Sequence, residues 1–268
     1  MRLLGCQQSC YRGFYIKNMN KEKLIVSNWK NYIANQAQAQ EILDAVNDLL
    51  ESRGENGELS LVFCPDESLI VSTSELLQKS HLENSAFLGV QDLLDDYPAG
   101  LQYVILGHSS KRWPTVGDGE TSVSINSKIK RSLEKELTPI VCIGEKDKGV
   151  DAEDFIKNQI NKTFAGLTPD QVQNCIIVYE PVWAISGNPD AQADNPIDAS
   201  NKIQIIRDYI RADWDLEDDV MVLYGGSVSS DNVVEFISKE NIAGVLIGRA
   251  STQKEEFSGI LNKLFAMQ

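Results

Sequence analysis

The chain has 268 residues, 42% of them hydrophobic and 24% charged, with a formal net charge of −14. That length and balance describe a globular protein able to bury a substantial core, and no segment approaches the roughly 18 apolar residues that a membrane span requires. The acidic excess, without any Lys/Arg run, argues against nucleic acid as a partner, so a site for an anion has to be built from isolated lysines and helix N-termini.

Residues 1–22 are polar, aromatic-rich and without periodicity. We expect a disordered or non-native N-terminal extension, with Met19 as a candidate natural start, followed by one catalytic domain over 23–268. Leu3-Leu4-Gly5-Cys6 has the look of a lipoprotein cleavage box, but no apolar stretch precedes it. The five cysteines (Cys6, Cys10, Cys64, Cys142, Cys175) lack metal-ligand spacing, and the last three sit in apolar strand-like runs. Cysteines of that kind are small buried hydrophobes, which predicts a reducing, cytoplasmic setting without disulfides.

From residue 24 onward, short β-branched runs alternate with helical periods. A strand at 24–29 is followed by a helix with Ile42, Val46 and Leu49 on one face, and strands at 59–64 and 86–91 come next. Only about ten residues separate the third strand from the fourth at 102–106, close to the minimum for a parallel crossover, so a short helix at 92–97 is the most that fits. Helices with Ile125, Ile129 and Leu133, and then Ile156, Ile160 and Phe164, flank a strand at 139–143. Thr168-Pro169-Asp170 punctuates the approach to a strand at 175–180, and Pro196 opens a helix bearing Ile203, Ile206 and Ile210. Strands at 220–224 and 243–247 complete the series. Most are apolar throughout, as parallel strands covered on both faces are. Eight βα units in about 250 residues suit a (β/α)8 barrel, and an open doubly wound sheet accommodates the same alternation.

If the sheet is a barrel, the reacting groups gather at the C-terminal strand ends. Those ends read Asn28-Trp29-Lys30, Gly107-His108-Ser109, Gly144-Glu145, Glu180-Pro181-Val182-Trp183, Tyr224-Gly225-Gly226-Ser227 and Gly248-Arg249-Ala250-Ser251. Each has an ordinary structural explanation by itself: a strand-end ion pair, a capping histidine, a tight glycine turn. Together they bring a lysine, a histidine and a carboxylate to one mouth. His81, in the polar stretch 79–84, we read as structural.

The strings Asn28-Trp29-Lys30, Ile105 to Ser109, Cys142 to Glu145, Tyr179 to Ile185 and Tyr224 to Val228 resemble the triosephosphate isomerase family, in the family's order and near its spacings across residues 24–266. The resemblance implies a TIM barrel and an isomerase of glycolysis and gluconeogenesis. Its reaction interconverts dihydroxyacetone phosphate and D-glyceraldehyde 3-phosphate through an enediolate, with neither metal nor cofactor. It implies Glu180 as the base, His108 as a neutral electrophile, and Lys30, held by Asn28, as the stabilising cation. It implies Ser186, Ser227, Gly248 and Arg249 as phosphate-binding positions. Pro181, Val182, Trp183, Ala184, Ile185 and Gly187 would form a lid and Tyr224 its latch, with Cys142 and Glu145 structural.

The sequence departs from the family in three places. The long loop that normally follows the third strand and plugs into a partner subunit has no counterpart between Gln91 and Gln102, which predicts a monomer or a weak, non-standard homo-oligomer. Ser110 and Lys111 stand where the family has glutamate and arginine. Ser186 and Arg249 occupy glycine positions, so the Arg249 side chain either adds charge at the phosphate or points to solvent. These departures leave two other readings open: a weakened barrel kept to bind a phosphate ligand or a partner, and an isomerase of a larger sugar phosphate.

Overall fold

The computed structural model of the protein describes residues 23–53, 59–80, 82, 85–149, 151–186, 191–192 and 194–267. The expectations for residues 1–22, for His81 and for the lid residue Gly187 fall outside the described residues.

Eight parallel strands close into a barrel in sequence order: β1 (Lys23–Asn28), β2 (Leu59–Cys64), β3 (Ala86–Val90), β4 (Leu101–Leu106), β5 (Thr138–Ile143), β6 (Ile176–Tyr179), β7 (Val222–Tyr224) and β8 (Gly244–Ile247). β8 pairs with β1 from Leu24↔Gly244 to Ser27↔Ile247, which rules out the open sheet. Each strand lies within two residues of its expected ends. The helices are α1 (Gln36–Arg53), α2 (Ile70–Lys79), α3 (Ser109–Arg112), α4 (Ser122–Glu134), α5 (Ala152–Thr163), α6 (Pro169–Gln173), α7 (Pro196–Asp213), α8 (Val233–Ile237) and α9 (Lys254–Phe265). Their starts are chemically marked. Thr121 and Ser124 form a capping box at α4, Thr168 and Gln171 form another at α6, and Asn195 caps α7 with Pro196 in its first turn.

The core has two shells, because successive strand residues face opposite sides. Leu24, Val26, Val62, Cys64, Phe87, Tyr103, Ile105, Ile140, Cys142, Ile176, Val178, Met221, Leu223 and Leu246 fill the barrel. Their strand neighbours, among them Ile25, Leu61, Val104, Val141, Ile177 and Val222, pack outward beneath Ile42, Val46, Ile125, Ile129, Ile156, Ile160, Ile203, Ile206 and Ile210. Continued past the strand ends, the inward alternation brings Asn28, Gly144, Glu180, Gly225 and Gly248 to the mouth. Fold and site therefore share one periodicity.

The short helix expected at 92–97 does not form; residues 91–98 run as bends and irregular chain. Asp92 accepts the N–H of Leu93 on its own carboxylate at 2.7 Å, a local bond that competes with a helical turn, and its carboxylate also pairs with Lys111 and Lys128. Pro98 then biases Tyr97 away from helical backbone. Leu93, Leu94 and Tyr97 half-bury themselves against the core instead. No helix among the described residues is long and apolar enough to cross a membrane.

Candidate active site

One cleft at the C-terminal mouth of the barrel collects Lys30, His108, Glu180, Ser186, Ser227, Gly248 and Arg249, drawn from five strand ends and the segment after β6. Seven of the eight positions expected for catalysis and phosphate binding thus line it. The eighth, Asn28, lies beneath, fully buried, its side-chain oxygen accepting the Lys30 N–H at 3.2 Å. The Asn28 amide nitrogen has no hydrogen-bond partner among the described residues, leaving a buried donor available.

Glu180 is 3% exposed. One carboxylate oxygen accepts the Ser109 N–H at 2.9 Å; the other accepts the Ser109 hydroxyl at 2.9 Å and lies 3.1 Å from Nε2 of His108. Burial pushes its pKa up to about 7, against the opposing pull of Lys30, the two Ser109 bonds and Arg112. A carboxyl group titrating near neutrality suits general-base work.

The chain reaches His108 through a left-handed turn at Gly107, whose φ is 68°. The histidine caps α3: its Nδ1 accepts the Ser110 N–H at 3.1 Å. With Nδ1 an acceptor, the proton sits on Nε2 and faces the cleft. Desolvation first, then the charges of Lys30 and Lys111, hold the imidazole well below its usual pKa and therefore neutral. Behind it, buried Arg112 donates to Gly107 O at 2.8 Å and Cys142 O at 3.1 Å, tying the end of β4 to that of β5.

Lys30 has φ of 48°, an uncommon conformation for a side-chain-bearing residue and a marker of a constrained position. Its ammonium reaches across to β8, so that a Cβ built on Gly248 would lie 3.8 Å from Nζ. The Arg249 guanidinium lies 5.2 Å from the centre of the Tyr32 ring. Although exposed, this side chain lines the cleft beside Lys30, adding a second cation.

Past Glu180 and Pro181, residues Val182–Ala184 form a 3₁₀ turn that is clamped from two sides. Trp183 donates its indole N–H to Glu145 at 2.9 Å, and the same carboxylate oxygen accepts the Tyr179 hydroxyl at 3.0 Å. Ser227 donates its hydroxyl to Ala184 O at 2.6 Å and accepts the Ser186 N–H at 2.7 Å. Ile185 also lines the cleft. Tyr224 is fully buried, its ring stacked on Phe236 at 4.1 Å, and its hydroxyl lies directly under Gly226, where an added Cβ would meet it at 2.1 Å.

Two contributors escaped the sequence reading. Ser109 holds Glu180 through two bonds, and its place directly after His108 was the only signal. Glu145, read as structural, anchors the Trp183 indole. Cys64, Cys142 and Cys175 are free and buried, in line with the sequence reading of small buried hydrophobes.

The family model described as triosephosphate isomerase matches residues 23–264. A triosephosphate isomerase of Alkaliphilus metalliredigens is 32% identical over 257 residues, covering 90% of this chain and 99% of the relative. One from Streptococcus thermophilus is 33% identical over 256 residues, covering 91% of this chain and 99% of its own. One from Streptococcus agalactiae reaches 35% over 260 residues, with the same coverage of 91% and 99%.

Proposed function

This chain belongs to the triosephosphate isomerase family, and we propose that Glu180, His108, Lys30 and Asn28 carry its interconversion of dihydroxyacetone phosphate and D-glyceraldehyde 3-phosphate. The observation that carries this assignment is the shared cleft of a buried carboxylate titrating near 7, a neutral histidine with its proton on Nε2 and an ammonium.

Glu180 removes a proton from the carbon beside the carbonyl. The negative charge moves onto the carbonyl oxygen, which accepts hydrogen bonds from His108 Nε2–H, the Lys30 ammonium and the free amide of Asn28. His108 then moves a proton between the two oxygens of the enediolate, and Glu180 returns its proton to the neighbouring carbon. No atom is gained or lost. At rest Glu180 is tied to Ser109, so those two bonds must give way for the carboxylate to reach the substrate carbon.

The phosphate lies on the N–H groups of Ser186, Ser227, Gly248 and Arg249, with Lys30 nearby. The resting Ser186 N–H is bound to Ser227, so the lid segment from Pro181 through Ser186, latched at Tyr224, shifts when the anion enters. We place the protein in the cytoplasm, as one catalytic domain over 23–268. The brief connection between β3 and β4 and the acidic surface favour a monomer or a weak, non-standard homo-oligomer, with neither nucleic acid nor membrane as partner. Sedimentation at micromolar concentration tests this, and a tight dimer refutes it.

Turnover of Glu180→Gln tests the mechanism. A loss of about 10²–10⁴-fold in kcat, with inorganic phosphate still bound, is expected. Turnover within tenfold of the unaltered protein would remove Glu180 from the role of base.

A further inference from the structure

The ring of His108 is engaged from both sides. Toward the cleft its Nε2 lies 3.1 Å from Glu180. Toward the surface its Nδ1 receives the Ser110 N–H at 3.1 Å and also lies 2.9 Å from the Ser110 hydroxyl oxygen. That oxygen is in turn 3.3 Å from the side-chain amide nitrogen of Gln91.

The direction of these bonds follows from what each atom can do. Neutral His108 with its proton on Nε2 has only an acceptor at Nδ1, so in the 2.9 Å contact the Ser110 hydroxyl is the donor, sharing the single Nδ1 lone pair with the Ser110 N–H. The Gln91 amide donates into the hydroxyl oxygen and leaves its hydrogen free for Nδ1. A line of donors thus runs from Gln91 through Ser110 to His108 and out through Nε2–H. Each donor polarises the next, which makes Nε2–H a stronger donor.

We infer that the Ser110 hydroxyl, oriented by Gln91, makes Ser110 a positioning residue that reinforces the Nε2–H tautomer of His108 already set by the Ser110 N–H and strengthens its hydrogen bond to the substrate oxygen. The inference rests on the role proposed for His108. Both members of the relay lie where this chain departs from its family: Gln91 opens the brief connection from β3 to β4, and Ser110 replaces a carboxylate. A carboxylate at Ser110 could only accept, and so could not donate to Nδ1. Asp92, one residue beyond Gln91, is occupied by Lys111 and Lys128 and does not compete for the hydroxyl.

Ser110→Ala keeps the backbone N–H and removes only the hydroxyl. Because Ser110 is exposed, the substitution disturbs no packing. We expect kcat to fall about fivefold, the effect of one ordinary hydrogen bond, with KM within about twofold of the starting value. The ¹⁵N resonance of His108 Nδ1 should move toward that of an unbonded pyridine-type nitrogen, and Ser110→Thr should restore both quantities. Gln91→Ala should shift the same resonance less, and Gln91→Ala with Ser110→Ala should be no worse than Ser110→Ala alone. The relay is overturned if the Nδ1 resonance of Ser110→Ala is unmoved while His108→Gln is impaired, or if the Gln91 and Ser110 effects simply add. Undiminished kcat in His108→Gln overturns the reading of His108 itself, an outcome that the resonance, measured without turnover, keeps distinct.

Discussion

Gly144 and Glu180 touch through their backbones: a Cβ built on Gly144 would lie 2.1 Å from the Glu180 carbonyl oxygen. No side chain fits there, so the ends of β5 and β6 approach closely because position 144 is glycine. Gly144→Ala therefore has to push the Glu180 backbone outward. A displacement on the order of 1 Å at a reacting group costs about 10²-fold in rate. We expect that loss in kcat, accompanied by a lower melting temperature; wild-type kcat in the folded variant would contradict the proposed dependence on this contact.

The base must be unprotonated to act. Since burial lifts the Glu180 pKa to about 7, kcat/KM should fall about tenfold for each pH unit below that value. The measurement is a pH profile with ionisation of the substrate phosphate divided out. A plateau extending down to about pH 5 would contradict the raised pKa.

The same group couples pH to stability. Folding raises Glu180 from 4.5 to about 7, so the native state holds the proton more tightly than the unfolded chain. The resulting stabilisation is complete below pH 4.5 and lost as pH rises through about 7. The loss is on the order of 3 kcal/mol. Glu180→Gln escapes it. Its melting temperature relative to the unaltered protein should therefore rise by several degrees between about pH 5 and pH 8. An offset that does not change with pH would refute the coupling.

Arg249 lies over Tyr32 on the β8 side of the cleft, where we propose that the phosphate binds. Arg249→Ala should raise KM about threefold at low ionic strength, the scale of one exposed charge contact, and leave kcat within about twofold. Inhibition by inorganic phosphate should weaken in parallel, and high salt should erase the difference. An unchanged KM at low salt would mean that the guanidinium does not meet the substrate.

Much of this protein was legible in its sequence. Short apolar runs such as residues 176–179 read as strands covered on both faces, and repeats such as Ile203, Ile206 and Ile210 read as the inner stripe of a helix. Asn28 ends β1, and Lys30, His108 and Glu180 follow their strands within two residues, so their meeting was legible because strand ends share one mouth in a barrel; the roles proposed for them came from the resemblance to the family. These are local signals, set by side-chain period and chain direction. Residues 92–97 misled because the bond from Asp92 to its neighbour and the proline at 98 outweigh a weak helical pattern. The tertiary structure alone decided the attachment of Glu180 to Ser109, 71 positions away, and that of Trp183 to Glu145, 38 away. It alone decided the meeting of Gln91 with Ser110 and of Arg249 with Tyr32. It also set the charge states at the site, because a pKa near 7 for a glutamate follows from water excluded by a closed barrel, and no local stretch of sequence records which distant residues do the excluding.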